Sequence, residues 1–479
     1  MKENILTLDD VRLTGIVATL GPASSSENEI ESLIESGVDI FRINFSHGTR
    51  DDNKNTIRRV RSIAKRLGVH VAILQDLGGP KLRINNLCVG SIQLASGNKI
   101  YLESSSNDGD DKCIRFEDEG WLSEVKQGER IVFGDGIIHL KILEKKNSGL
   151  HCEVISGGIL RSRAGMNFPD SRLNLGPMRP KDWDDLDLGT EERVDAIAIS
   201  FVKGPEDLVQ IRSKIKNKSI QPLLIAKIER FEAVEQIDSI LEFTDGIMVA
   251  RGDLGISIPM EKVPTIQKML IRKARIKRKF VITATQMLES MTTEIVPTRA
   301  EVTDVANAVY DGTDAVMLSG ETAIGKDPAH VVLTMVKILR EAEVHADFEP
   351  LPKNDYTIDT AISQTVPLLV DEIGAKIVLT PLTSGTTASR ISRHHIGIPI
   401  LAGVNSIRDA RKLKFHHSVF PVIISKETSF LGSLHTLIKL ALDEELVRNG
   451  DFAVVTGGFP LDQSGVTNFV RVLKIGDPL

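Results

Sequence analysis

The sequence predicts an α/β protein: a closed (β/α)8 arrangement with a small β-barrel inserted in one loop and a separate α/β domain at the C-terminal end. Three observations predict it. Eight short apolar runs alternate with amphipathic helical stretches, one long interruption lacks helical periodicity, and a polar, proline-containing break falls near residue 347. The apolar runs are Gly15–Leu20, Val38–Phe45, Val71–Leu77, Ala196–Val202, Leu223–Ile228, Gly246–Ala250, Phe280–Ala284 and Ala315–Leu318. Runs apolar on both faces suit parallel strands covered by helices. Helical patterns stand between them at Glu206–Lys216, Glu232–Phe243, Val263–Arg278, Arg299–Tyr310 and Val331–Val344. Eight such units over roughly 330 residues point to a TIM barrel; a doubly wound open sheet is the competing arrangement.

The interruption, Ile84 to Met178, is Gly-punctuated and alternates apolar with polar residues, which reads as an all-β module set into the loop after the third strand. An insertion there sits at the C-terminal rim, where barrel active sites lie, so a lid is its functional reading. After Asp347 the stretch FEPLPKNDYT reads as a linker. Beyond it come a helix at Thr360–Glu372, strands in AKIVLT and IPILAGV, a helix at Ile407–His416, a strand in FPVII, a helix at Leu431–Val447, and strands in FAVVTG and NFVRVLKI. The predicted domains are therefore 1–83 with 179–346 (barrel), 84–178 (inserted β-barrel) and 347–479 (C-terminal α/β domain, read as regulatory).

Bulk composition narrows the function classes. The 479 residues carry 41% hydrophobic and 26% charged side chains and a net charge of −6, an acidic balance that argues against nucleic acid or an anionic membrane as the main partner. Cys88, Cys113 and Cys152 cannot all pair and lack metal-ligand spacing, which suits a reducing, cytoplasmic compartment. The start MKENILTLDD has no apolar core of a signal peptide, and no run reaches membrane-spanning length.

Polar residues gather where a barrel keeps its chemistry, at the C-terminal ends of strands. The second run ends Arg42-Ile-Asn44-Phe-Ser46-His47, and alternation puts Arg42, Asn44 and Ser46 on one face. The third ends at Asp76, followed by a sharp turn and the cations Lys81 and Arg83. Lys227 and Glu229 close the fifth run, Arg251-Gly252-Asp253 the sixth, Thr285-Gln286 the seventh and Ser319-Gly320-Glu321 the eighth. Glu229 and Asp253 on adjacent strands suit Mg²⁺, which favours a carboxylate pair completed by substrate oxygens. One divalent ion, several cations and no Ser/His/Asp or Cys/His set favour phosphoryl or carboxylate chemistry over acyl transfer.

At these residues the sequence resembles the pyruvate kinases. The matching words are TLGPAS (19–24), RINFSHG (42–48), IAKIE (225–229), IMVARGDLGI (247–256), TATQMLESM (283–291), PTRAEVTDVANAVYDGTDAVMLSGET (297–322) and SGVTNFVRV (464–472). The resemblance implies transfer of a phosphoryl group from phosphoenolpyruvate to ADP. It implies Lys227 as transition-state stabiliser, Arg42 on the phosphoryl group, Thr285 with the backbone of Gly252 and Asp253 on the substrate carboxylate, and Glu229 and Asp253 on Mg²⁺ or Mn²⁺. It implies Asn44, Phe45, Ser46, His47, Arg83 and Lys181 on the nucleotide, Asp135 as a lid residue near the metal–nucleotide complex, and Ser319 and Glu321 in a proton relay. It implies a phosphorylated effector at Ser384, Gly385, Thr386 and Thr387, and a homotetramer.

One departure bears on K⁺. Relatives that need it hold it with residues matching Asn44, Ser46, Asp76 and the carbonyl of Leu77, and read Gly-Pro-Glu where this chain has Gly79-Pro80-Lys81. An ammonium at that place implies that K⁺ is dispensable. Two other readings compete: a Mg²⁺-dependent lyase or mutase acting on phosphoenolpyruvate or oxaloacetate, and a catalytically silent sugar-phosphate sensor. The first does not require Arg83 and Lys181; the second is opposed by intact Lys227, Glu229, Asp253 and Thr285.

Overall fold

The computed structural model describes residues 11–118, 120–134, 136–146, 148–216, 221–352, 357–383, 385–425, 429–458 and 466–479. Eight parallel strands close into a barrel: β1 (Gly15–Leu20), β2 (Ile40–Asn44), β3 (Ala72–Leu77), β4 (Ala196–Ile199), β5 (Leu223–Ile228), β6 (Gly246–Ala250), β7 (Phe280–Ala284) and β8 (Ala315–Leu318). Each strand pairs with its sequence neighbours, and β1 pairs with β8. The open sheet is therefore excluded.

Strand parity decides what each residue faces. Val17, Ile40, Leu74, Ala198, Ile225, Met248, Ile282 and Met317 fill the barrel interior. Their outward neighbours, such as Ile16, Phe41, Ile73, Ile197 and Val249, pack under the helices. Following the inward set toward the C-terminal end of each strand leads to Thr19, Arg42, Asp76, Ser200 and Lys227. The sequence thus forms an apolar plug with a polar crown. The opposite end is stoppered by Phe415 of the C-terminal region, whose ring lies 5.2 Å from that of Phe280.

Between β3 and β4, residues 84–178 are all-β apart from one short turn of helix, Trp121–Glu124, and a helix, Pro180–Glu191, then leads back into the barrel. The strands of this module form a six-stranded sheet and a two-stranded ribbon around one apolar core, in which Trp121 packs between Phe116 and Phe168, each ring pair at 4.9 Å. Residues 358–474 carry a five-stranded sheet, four strands parallel and the last antiparallel. Two helices depart from expectation. The stretch Glu232–Phe243 is broken into Phe231–Glu235 and Ile237–Phe243 at Gln236, whose side-chain amide bonds the carbonyl of Lys203 at 3.1 Å. The Arg-Gly-Asp sequence, read as a strand end, opens a short helix, Arg251–Ser257. Among the described residues no helix is long and apolar enough to cross a membrane.

Candidate active site

Lys227 is the hub of the polar crown. Its ammonium lies 2.9 Å from Glu229 Oε1 and 3.2 Å from Asp76 Oδ1, and donates to Ser200 Oγ at 2.7 Å. The serine takes a hydrogen bond, and the two carboxylates face the ammonium as ion pairs. Burial by itself favours the neutral amine, but Asp76 and Glu229 outweigh it and hold Lys227 well above the ordinary lysine range. Asp76 is buried too, yet Lys227 and Arg42 keep its carboxyl below the usual value. Arg42 donates from Nε to Asp76 Oδ2 at 2.7 Å and from Nη1 to Thr19 Oγ1 at 3.0 Å, so the third and first strands fix its guanidinium at the mouth. Sequence reasoning missed Ser200; the parity of β4, Ala196–Ala198–Ser200, is the signal that finds it. Its hydroxyl donates in turn to the carbonyl of Leu77 at 2.8 Å.

Glu229 is raised, first by burial and further by the nearby charge of Asp253, against the pull of Lys227. The backbone N–H of Phe201, a residue in the left-handed region (φ 57°), donates to its Oε2 at 2.7 Å. Asp253 Oδ1 meets the ammonium of Lys81 at 3.1 Å. Two neighbouring carboxylates, each now facing a lysine, form a donor set that fits a hard divalent cation. Among the described residues no group of three or more acidic, His or Cys ligands assembles. A cation held by this pair would draw its remaining ligands from water and substrate oxygens.

Thr285 and Gln286 follow β7 with φ of 70° and 54°, a left-handed pair that is costly for a β-branched residue. The bend brings Thr285 Oγ1 to accept the N–H of Gly252 at 2.8 Å. Thr285 and the start of the Arg251–Ser257 helix thus share one corner. Glu321 is fully buried and accepts the N–H groups of Ser319 (2.7 Å) and Leu288 (3.1 Å), bracing β8 against the segment after β7.

On the other flank Asn44 Oδ1 accepts the N–H of Ser46 at 3.1 Å, and Lys181 reaches the carbonyl of Phe45 at 2.9 Å while pairing with Asp185 at 2.6 Å. Burial, then the charges of Arg83 and Arg42, lowers the proton affinity of His47. Arg83 donates to the carbonyl of Arg163 in the β module at 3.0 Å. Between the barrel mouth and that module runs an open cleft lined by Lys81, Leu82, Phe168, Glu229, Asp253 and Ile256, among others.

Lys81 differs from its expected setting. Its ammonium is directed at Asp253 and lies 5.8 Å from the centre of the Phe201 ring. The module leaves room for it at Gly165, where a methyl group would stand 2.9 Å from Lys81 Cε. In the C-terminal region, Thr386 and Thr387 open the helix Thr386–Ser392, and the buried Thr387 hydroxyl meets that of Thr467 at 2.9 Å. Ser384 and Asp135 lie outside the described residues.

Comparison with known proteins bears on this arrangement. Residues 11–332 match the family model described as pyruvate kinase, barrel domain, and residues 360–473 match pyruvate kinase, alpha/beta domain. The chain belongs to the pyruvate kinase family. A pyruvate kinase of Thermococcus litoralis is 40% identical over 472 residues, covering 96% of this chain and 98% of the relative. One from Staphylococcus saprophyticus is 39% identical over 479 residues, covering 98% and 81%. The crystal structure of a pyruvate kinase from Cryptosporidium parvum superposes with a TM-score of 0.89 at 33% identity, covering 97% of this chain and 96% of that one. None of these supports the lyase or mutase alternative.

Proposed function

We propose that this chain transfers the phosphoryl group of phosphoenolpyruvate to ADP, giving pyruvate and ATP, as a cytoplasmic glycolytic enzyme. The single observation that carries the reading is Lys227, held fully charged between Asp76, Glu229 and Ser200 at the mouth of the cleft. Phosphoryl transfer asks a protein for alignment and charge neutralisation rather than a covalent partner. Arg42, fixed by Asp76 and Thr19, grips the transferring phosphoryl group beside Lys227. Thr285 and the N–H groups of Gly252 and Asp253 take the substrate carboxylate at the shared corner. Lys227 then stabilises the enolate left when the O–P bond breaks and the phosphoryl group passes to a terminal phosphate oxygen of ADP, until the enolate's methylene carbon receives its proton on the side toward Thr285.

Glu229 and Asp253 would hold Mg²⁺ or Mn²⁺, which supplies charge neutralisation to the phosphoryl oxygens when bound. Asn44 to His47, Arg83 and Lys181 receive the nucleotide, with the β module closing over it. For K⁺, Asn44 Oδ1, Leu77 O and both oxygens of Asp76 already face Ser46, Ser200, Arg42 and Lys227. Lys81 supplies a resident positive charge, so K⁺ is dispensable. A phosphorylated effector at Ser384–Thr387 and a homotetramer complete the reading.

The test is pyruvate formation from phosphoenolpyruvate and Mg²⁺ with and without ADP. Turnover that requires ADP and yields ATP stoichiometrically is expected. Pyruvate released at the same rate without ADP would overturn the kinase reading in favour of a lyase.

A further inference from the structure

The left-handed pair Thr285–Gln286 has to be held by something, and the structure shows what holds it. Arg251, the first residue after β6, extends its side chain across to the end of β7 and is nearly buried there, with 10% of the side chain exposed. Its Nη2 donates to the carbonyls of Thr285 at 2.6 Å and Gln286 at 3.3 Å, and its Nε to the carbonyl of Ala284 at 3.3 Å. Nη2 also lies 2.8 Å from Met287 Sδ. The remaining arm, Nη1, is anchored on Asp304 Oδ1 at 2.6 Å, on the helix Arg299–Asp311.

We propose that Arg251 is a positioning residue for the reaction: it clamps the carbonyls of three successive residues and so holds Thr285 Oγ1 against the N–H of Gly252, at the corner assigned to the substrate carboxylate. Two features make this more than a surface ion pair. The conformation it secures is one that a β-branched residue adopts only when its surroundings impose it. The same residue is also the first of the helix that presents Gly252 and Asp253, so one side chain ties the two halves of the corner together. The chemistry asks for a guanidinium. Its planar fork offers five N–H donors in fixed directions, whereas an ammonium is a point charge on a flexible stem and cannot span three carbonyls and a carboxylate at once.

The inference rests on the role proposed for Thr285, and the experiment separates the two. Steady-state kinetics of Arg251→Gln and Arg251→Lys are compared in the parent and in a Thr285→Ala background, a double-mutant cycle. Arg251→Gln is expected to lower kcat/KM for phosphoenolpyruvate at least tenfold while KM for ADP moves less than twofold, with Arg251→Lys falling in between. In the Thr285→Ala background the same Arg251 changes should cost less than threefold, because the hydroxyl they position is gone. Equal losses in both backgrounds would overturn the proposal, as would a kcat/KM within twofold of the parent for Arg251→Gln. A Thr285→Ala enzyme as active as the parent would remove the role of Thr285 itself, and this proposal with it. If Arg251→Gln does not fold, as judged by thermal unfolding, Arg251→Lys carries the same cycle and the same criterion of non-additivity.

Discussion

At the C-terminal end of the barrel Lys227 sits between Asp76 and Glu229, and Lys227 and Asp76 both stay charged while deeply buried. At the N-terminal end Asp314, His395 and His417 are buried as deeply, at the joint with the C-terminal region, and take the opposite course. The rings of His395 and His417 stack at 3.9 Å, neither ring nitrogen of His395 has a hydrogen-bond partner within the described chain, and its Nε2 lies 3.9 Å from Asp314 Oδ1. Burial drives His417 down to about 3, aided by the charge of Arg275, and His416 down to about 4. Burial likewise carries the Asp314 carboxyl up to about 7, against the N–H groups of His417 and Val281. Removing an ion from water has a cost that is met either by close counter-charges or by giving up the charge. The end that faces the cleft keeps its charges, where an anionic substrate can use them. At the joint the buried histidines and Asp314 give theirs up, while Arg275 and the Asp39 pairs with Arg12 and Lys414 keep theirs.

The sharpest way to break this contrast is to remove the central counter-ion. Lys227→Met should lower kcat by about 10²–10³-fold or more, the usual consequence of deleting one preorganised charge. It should also cost about 3–5 kcal/mol of stability, because Glu229 is left buried without its counter-charge and Asp76 keeps only Arg42. Steady-state rates and urea unfolding check both, and a folded variant with near-normal kcat would refute the role of Lys227.

A smaller effect is expected at the edge of the same network. Lys81→Glu replaces the ammonium facing Asp253 with a like charge. The parent should work equally well in tetramethylammonium and K⁺ salts at fixed ionic strength. The variant should lose about tenfold or more in tetramethylammonium, roughly 1.4 kcal/mol in the barrier, and regain it with K⁺. A parent that stalls without K⁺ would contradict the reading.

The smallest effect belongs to the neutral end and appears only as pH changes. Folded His394, His416 and His417 have proton affinities lowered to about 3, 4 and 3, and that of His395 is lower than its ordinary value as well. The unfolded chain protonates them below about pH 6.5. Stability that they contribute above pH 6.5 is therefore lost as pH falls. Asp314 acts with the opposite sign: it favours the folded state fully below the unfolded value of 3.8 and loses that contribution as pH rises through about 7. Four histidines outnumber one carboxyl, so the melting temperature should fall between pH 7 and pH 5. His417→Gln should reduce that slope by about one proton, or ~1.4 kcal/mol per pH unit. An unchanged slope would show that His417 is already charged when folded.

The sequence by itself determined the order of strands and the polar crown. Apolar periodicity and strand parity are local properties of the chain, and so Arg42, Asp76 and Lys227 are legible as strand-end residues and Glu229 and Thr285 as the residues just beyond, whereas Asp253, read the same way, lies in a short helix. Tertiary structure alone decided how they are partnered. Ser200 looked like an ordinary strand-end serine until the closed barrel put it across from Lys227. The cation of Lys81 went to Asp253 because the β module and the turn after β3 set its direction, which no spacing rule contains. Arg251 belonged to a common tripeptide with no evident task, and its role came from β7 lying beside β6 with a left-handed bend that exposes three carbonyls. The histidines at the far end showed no pattern at all, because Asp314, His395 and His417 are distant in sequence and meet only where the C-terminal region closes the barrel. Periodicity follows from the backbone's own repeat. Pairing energies depend on which groups are brought close and out of water, and the closed fold decides that.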